Sequence, residues 1–148
     1  MNMDENYLIS ITNKQCVEGE IEEISLTTTG SYTERNGKRY IVYREYDENC
    51  QVEQTSTLKI SDNMVSLLRH NNDFYHTNLI LENGKRHLCQ YGTPYGEVTM
   101  GVFTTKMVGS LNDQGGDLTV EYLLDVNSSL SSVNCITISV KENQPSHA

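Results

Sequence analysis

Leu118-Thr119-Val120-Glu121-Tyr122-Leu123-Leu124-Asp125-Val126 is the stretch that decides how this chain folds. Leu118, Val120, Tyr122, Leu124 and Val126 alternate with Thr119, Glu121, Leu123 and Asp125. Successive side chains of a β-strand point to opposite faces, so such a run buries one face and wets the other. A polar turn over residues 127–132 follows, after which Ile136, Ile138 and Val140 alternate with Cys135, Thr137 and Ser139. Two half-wet strands in succession predict an antiparallel pair with one apolar face.

Upstream, the same two-residue period recurs and helical periodicity is almost absent. Asn36-Gly37 separates residues 24–35 from 38–46, and Asn83-Gly84 separates 74–81 from 86–91. Both dipeptides tolerate positive φ and so signal hairpins. Polar turns at 47–49, 61–63 and 71–73 bound strands at 51–60 and 64–70. A bend at 92–96 precedes a strand at 98–111, and Gly115-Gly116 turns the chain into its penultimate strand. With residues 7–14 this makes about ten strands joined by short turns. A meander of that length has two exposed edges unless it closes. The expected fold is all-β: a single up-and-down antiparallel barrel of about eight to ten strands, with a two-sheet sandwich as the alternative. Gly92, Gly96, Gly101 and Gly109, in or beside strands, are read as bends or bulges that a small barrel needs at its corners.

Composition agrees with a half-wet sheet. The chain has 148 residues, 36% apolar, with no run long enough to form a membrane-spanning helix. One domain over residues 1–148 is expected. Eleven Lys plus Arg against 20 Asp plus Glu give a net charge of −9, which repels phosphate backbones and argues against nucleic-acid binding. Residues 16–23, rich in Glu, read as a solvated acidic loop, and residues 142–148 as a frayed polar tail. The start, MNMDENYLIS, shows neither a basic segment nor a long apolar one, so the chain is placed in the cytoplasm, without membrane attachment. Cys16, Cys50, Cys89 and Cys135 are widely spaced and expected to be free thiols.

Common nucleotide and hydrolase motifs are missing from the chain. His87 and Cys89 share a strand face, with His76 on the partner strand and His70 just before it. Such a set can ligate zinc, but structural zinc sites pair their ligands more closely, so no metal and no cofactor are assigned. Nine Tyr and no Trp suit either a polar, aromatic lumen or wet sheet faces. Parity gives the sharpest site. Tyr43 and Glu45 share it with Ile41, and Arg69 shares it with Val65 and Leu67. If those apolar residues face inward, a carboxylate and a guanidinium do too, and they must pair or lose hydration uncompensated. The plainer reading of Glu45 and Arg69 is a structural ion pair, or strand ends reaching solvent.

Several segments resemble the YwiB-like proteins, small uncharacterised bacterial proteins of the calycin-like β-barrel superfamily. They are Thr28-Thr29-Gly30-Ser31-Tyr32, Tyr40-Ile41-Val42-Tyr43-Arg44-Glu45, Arg69 at its strand end, Thr93-Pro94-Tyr95-Gly96-Glu97, Met100-Gly101-Val102-Phe103-Thr104 and Gly115-Gly116-Asp117-Leu118-Thr119-Val120-Glu121-Tyr122. In order, they span about residues 22–141. The resemblance implies a closed lipocalin-like barrel and no particular activity. Calycins that hold small ligands in the lumen offer a fold-level analogy.

Two functions from different classes follow. One is lumenal binding of a small anionic or amphipathic molecule, with Arg69 meeting its charge, Tyr43 and Tyr91 touching its body and Glu45 orienting Arg69. The other is a protein-interaction barrel with a packed core, using the acidic segment 18–23 or an unpaired edge at residues 7–14, as a monomer or homodimer. An enzyme with Glu45 as acid or base ranks no higher on this sequence.

Overall fold

The alternating runs become ten strands in the computed structural model, which describes residues 6–47, 52–70, 76–93 and 96–143. They are β1 (Tyr7–Val17), β2 (Glu20–Arg35), β3 (Lys38–Asp47), β4 (Val52–Ile60), β5 (Met64–His70), β6 (His76–Glu82), β7 (Arg86–Thr93), β8 (Gly96–Asn112), β9 (Gly115–Val126) and β10 (Ser129–Glu142). Each pairs antiparallel with its chain neighbours, and β1 also pairs β10, which closes the sheet into an up-and-down barrel. Closure removes the edge expected at residues 7–14: Ile9 lies between Thr28 on one side and Val140 on the other.

The hairpins follow their turn chemistry. Asn36 and Gly37 both take positive φ, 56° and 79°, as the Asn-Gly signal requires. The turn read at 127–132 contracts to Asn127 and Ser128, and the remaining residues enter β10 through an irregularity between Leu130 and Ser132. A second register shift, between Thr104 and Lys106, moves the inward set of β8 from even to odd positions: Thr104 is buried before it and Met107 packs on the core after it.

The acidic segment 16–23 is not a loop. β1 and β2 run through it as a hairpin turned at Glu18 and Gly19, paired as far as Val17 and Glu20. The first six residues of β2 are exposed on both faces because this hairpin projects past the barrel wall. β10 extends to Glu142, and the Asn143 amide donates to the Asn6 carbonyl at 2.9 Å. The rest of the expected tail lies outside the described residues.

Up-and-down topology sorts the connections. The ends of β1, β3, β5, β7 and β9 lie at one end of the barrel, and the start of β1 and the end of β10 lie at the opposite, terminal end. The terminal half is packed: Ile9, Ile41, Val65, Leu81, Val102, Val120, Ile138 and Val140 are almost wholly out of water. Tyr32 plugs that end. Its hydroxyl donates to the Asn112 carbonyl at 2.6 Å, its ring meets Tyr7 edge-on at 5.2 Å, and Arg39 lies 5.8 Å above it. Arg39 in turn pairs with Asp113 at 2.7 Å.

Between β6 and β7 the ladder is sparse. Thr77↔Tyr91 is the registered pair among the described residues, and the Ile80 amide donates to the Cys89 thiol at 3.4 Å. Burial pushes that thiol up from its usual range.

Candidate functional site: the open half of the lumen

Parity carries Tyr43, Glu45 and Arg69 inward, and all three line one cavity of about 490 Å³ in the half of the barrel opposite Tyr32. Register explains how they meet. Tyr43 on β3 stands opposite Ser56 on β4, and Ser56 stands opposite Arg69 on β5. The Arg69 guanidinium donates through Nε to Ser56 Oγ at 3.3 Å and through Nη2 to Glu45 Oε1 at 3.4 Å. Ser56 is fully buried, while the Arg69 and Glu45 side chains keep 30% and 24% exposure. The ion pair is therefore long and half in water, held on a buried hydroxyl. Tyr43 is 1% exposed beneath it. Burial pushes the Tyr43 hydroxyl above its usual range and the Glu45 carboxylate adds to this, with the Arg69 charge opposing.

The facing wall is uncharged and polar. Asn13 and Gln15 on β1, Tyr122 on β9 and Asn134 on β10 line the same cavity. Gln15 stands opposite Asn134, and Asn134 opposite Tyr122. Asn134 Nδ2 donates to the buried Ser132 Oγ at 2.9 Å. Tyr122 is buried, and burial raises its hydroxyl to about 12, against a hydrogen bond from Asn13 and the charge of Arg69. Both lumenal phenols are thus neutral donors at ordinary pH. Ile11, Leu26, Leu58, Leu67, Leu79 and Ile136 form the apolar part of the chamber, and Ile24, 69% exposed, marks its mouth.

Sequence reasoning missed Asn13, Gln15, Ser56, Tyr122 and Asn134. The signal was present: Asn13 shares parity with Ile9 and Ile11, Ser56 with Leu58, and Asn134 with Ile136 and Ile138. Parity had singled out only ionisable groups and Tyr43. Tyr91 sits on β7 opposite Thr77 and Val98, and its side chain lies outside the described residues.

Several ionisable groups form structural pairs away from the chamber. His87 Nε2 lies 2.8 Å from Glu82 Oε1, and this contact, with Lys85, holds the Glu82 carboxyl below its usual range. No three His, Cys, Asp or Glu residues gather as a metal site among the described residues. Cys16, Cys89 and Cys135 are free, and Cys50 lies outside the described residues.

The chamber combines a guanidinium fixed by Ser56 and Glu45, two neutral phenols and a set of amides within apolar walls. It can hold the polar head of a small molecule while burying its body.

No helix is long and apolar enough to cross a membrane among the described residues. No curated protein matches the chain. Among solved structures, the crystal structure of the YwiB protein from Bacillus subtilis is similar, with a TM-score of 0.81 at 20% identity, over 93% of this chain and 92% of that one. At that identity the likeness shows the fold alone. A family model described as a domain of unknown function, DUF1934, matches residues 9–138, almost the whole barrel, and the chain belongs to that family, with a YwiB-like fold.

Proposed function

We propose that this barrel is a cytoplasmic binding protein for a small amphipathic acid, held in the open half of the lumen. The carrying observation is Arg69, seated on Ser56 and Glu45 in the wall of a 490 Å³ chamber with mostly apolar sides. Ligand sites run from about 300 to 1,000 Å³, so the chamber has the right size for one small molecule. Arg69 meets the acid group, Glu45 orients Arg69, and Tyr43 contacts the ligand below it. The calycin-like resemblance supports the reading as analogy.

Calorimetric titration with octanoate tests this reading. The wild-type chain is expected to bind it, and Arg69→Met to weaken binding at least about tenfold, since hydrogen bonds to a charged group contribute roughly 1.5–3 kcal/mol. Absence of binding at millimolar octanoate, or equal affinity in Arg69→Met, overturns the proposal.

A second reading, an interaction surface, is favoured by apolar side chains left in water at the hairpin tips. Ile21 is 71% and Leu130 63% exposed, and Val17 and Val133 are exposed beside Glu18, Glu20 and Glu22. Chemical crosslinking that captures a defined partner or homodimer through this end supports it, and a clean monomer counts against it.

A further inference from the structure

The hairpin end of the barrel carries a groove that the lumenal chamber does not use. The β1–β10 ladder ends at Cys16↔Val133, whereas β1–β2 runs on to Val17↔Glu20 and β9–β10 to Ser129↔Val126. The two hairpin tips therefore part, and a groove of about 560 Å³ opens between them. Its lining includes Val17, Val126, Leu130 and Val133, all four exposed to water. Ile21, Cys16 and Val133 stand beside one another in a cross-strand row, and Ile21 is exposed too.

A second cavity, about 240 Å³, adjoins the groove: Val17 and Glu18 line both. Its other walls are Gln15, Glu20 and Glu22. Register explains the gathering. Gln15 stands opposite Glu22 and Val17 opposite Glu20 across the β1–β2 hairpin, which puts both carboxylates on one face. Among the described residues no Lys, Arg or His pairs with Glu18, Glu20 or Glu22, whereas Glu82, Glu121 and Asp125 each have a basic partner. Lys14, the basic residue of this hairpin, stands opposite Glu23 on the other face.

Covering exposed aliphatic side chains is favourable, and carboxylates without a counter-charge attract cations. The two cavities share walls, so a covering segment must present apolar and cationic side chains next to each other. A second copy of this chain does not meet that need, because it brings the same carboxylates and a net charge of −9. We propose that the paired hairpin tips dock a protein segment in which aliphatic residues sit beside Lys or Arg, the aliphatic side chains entering the groove and a cation meeting Glu20 and Glu22. This docking is independent of lumenal binding at Arg69 and rests on the reading of this end as an interaction surface, whose partner it specifies.

Fluorescence polarisation of the full chain with the labelled peptide Gly-Lys-Leu-Lys-Leu-Lys-Gly tests the pairing. One control peptide carries Glu for every Lys, and another carries Ser for every Leu. The Lys–Leu peptide is expected to bind at least about tenfold tighter than either control, because apolar burial and charge act together. Leu130→Ser weakens its binding at least about threefold, and the Glu20→Gln, Glu22→Gln double variant both weakens it and flattens its dependence on salt. Leu68→Ser, at an exposed leucine of β5 away from both tips, leaves binding unchanged. Every replaced side chain is exposed, so these variants keep the fold.

Equal binding of either control peptide overturns the proposal, and so does binding that neither Leu130→Ser nor the double variant alters. No binding at millimolar peptide, with a dimer in sedimentation that Leu130→Ser dissolves, assigns the face to copies of this chain. That overturns the basic partner and leaves the interaction surface standing. No peptide binding together with a monomer in sedimentation overturns both.

Discussion

Removing the Glu45–Arg69 pair in stages separates a structural clip from a binding group. At 3.4 Å and an effective dielectric of about 20, the gross attraction is about 5 kcal/mol. Most of it is offset by lost hydration and by freezing two long side chains. Fully exposed pairs couple by about 0.2–1 kcal/mol, and breaking a buried pair costs about 3–5 kcal/mol. With 30% and 24% of the two side chains still exposed, the coupling belongs near the lower bound, at about 1 kcal/mol. The assay is urea unfolding of the wild type, Glu45→Gln, Arg69→Met and the double variant, read as a double-mutant cycle. Arg69→Met alone should cost somewhat more than the coupling, because Ser56 Oγ also loses its donor in a fully buried position. A coupling above about 3 kcal/mol refutes this reasoning: the pair would then be a desolvated clip whose guanidinium a ligand cannot borrow. A coupling indistinguishable from zero refutes it from the other side, because the pair would not persist in solution.

Two further outcomes follow from the same geometry. Gly30→Ala should destabilise the barrel by about 1–3 kcal/mol in urea unfolding, because its Cβ would strike the Val42 carbonyl oxygen, a backbone atom, and come within 2.6 Å of Ile9 Cδ1. Arg86 grips Asp125 with two hydrogen bonds, 3.0 and 2.7 Å, and holds its carboxyl below the usual range. The stability from this pair is therefore complete above the ordinary carboxylate pKa of about 4 and is lost as pH falls through the lower folded value. The gap between wild type and Asp125→Asn should accordingly shrink between about pH 5 and pH 2, and a gap that widens on acidification contradicts the assignment.

How much of this was legible depended on whether a residue has a buried face. Where strands line the barrel, one side is apolar and the other wet, so parity placed Glu45 and Arg69 inward from Ile41, Val65 and Leu67 alone. The β1–β2 hairpin projects past the wall and is wet on both sides, so its Glu20–Glu23 segment carries no alternation and reads as a loop. Glu18-Gly19 is also a weaker turn signal than Asn-Gly, although Glu18 does adopt positive φ at 49°. The shift between Thr104 and Lys106 inverts parity within a single strand, and no local residue pattern announces it. Neutral polar groups in the lumen were recoverable in principle. Asn134 and Ser56 sit at apolar parity, but an amide or hydroxyl there is unremarkable until the facing wall is known.

The division of the barrel into a packed and an open half gives the site its freedom. Tyr32, Tyr7 and Arg39 close the terminal end, and the most deeply buried aliphatic side chains of β1, β3, β5, β6, β8, β9 and β10 fill that half. Most of the apolar burial, and so most of the cohesion, lies there. The open half retains groups that a core optimised for stability would shed: a half-wet ion pair at Arg69, an orphan acceptor at Asn13 and amides at Gln15 and Asn134. Replacing such groups with apolar residues of similar volume is often neutral or stabilising. Replacing Glu45 and Arg69 together with apolar residues should therefore cost the fold less than Arg69→Met alone while removing recognition, a separation that a purely structural polar cluster would not allow.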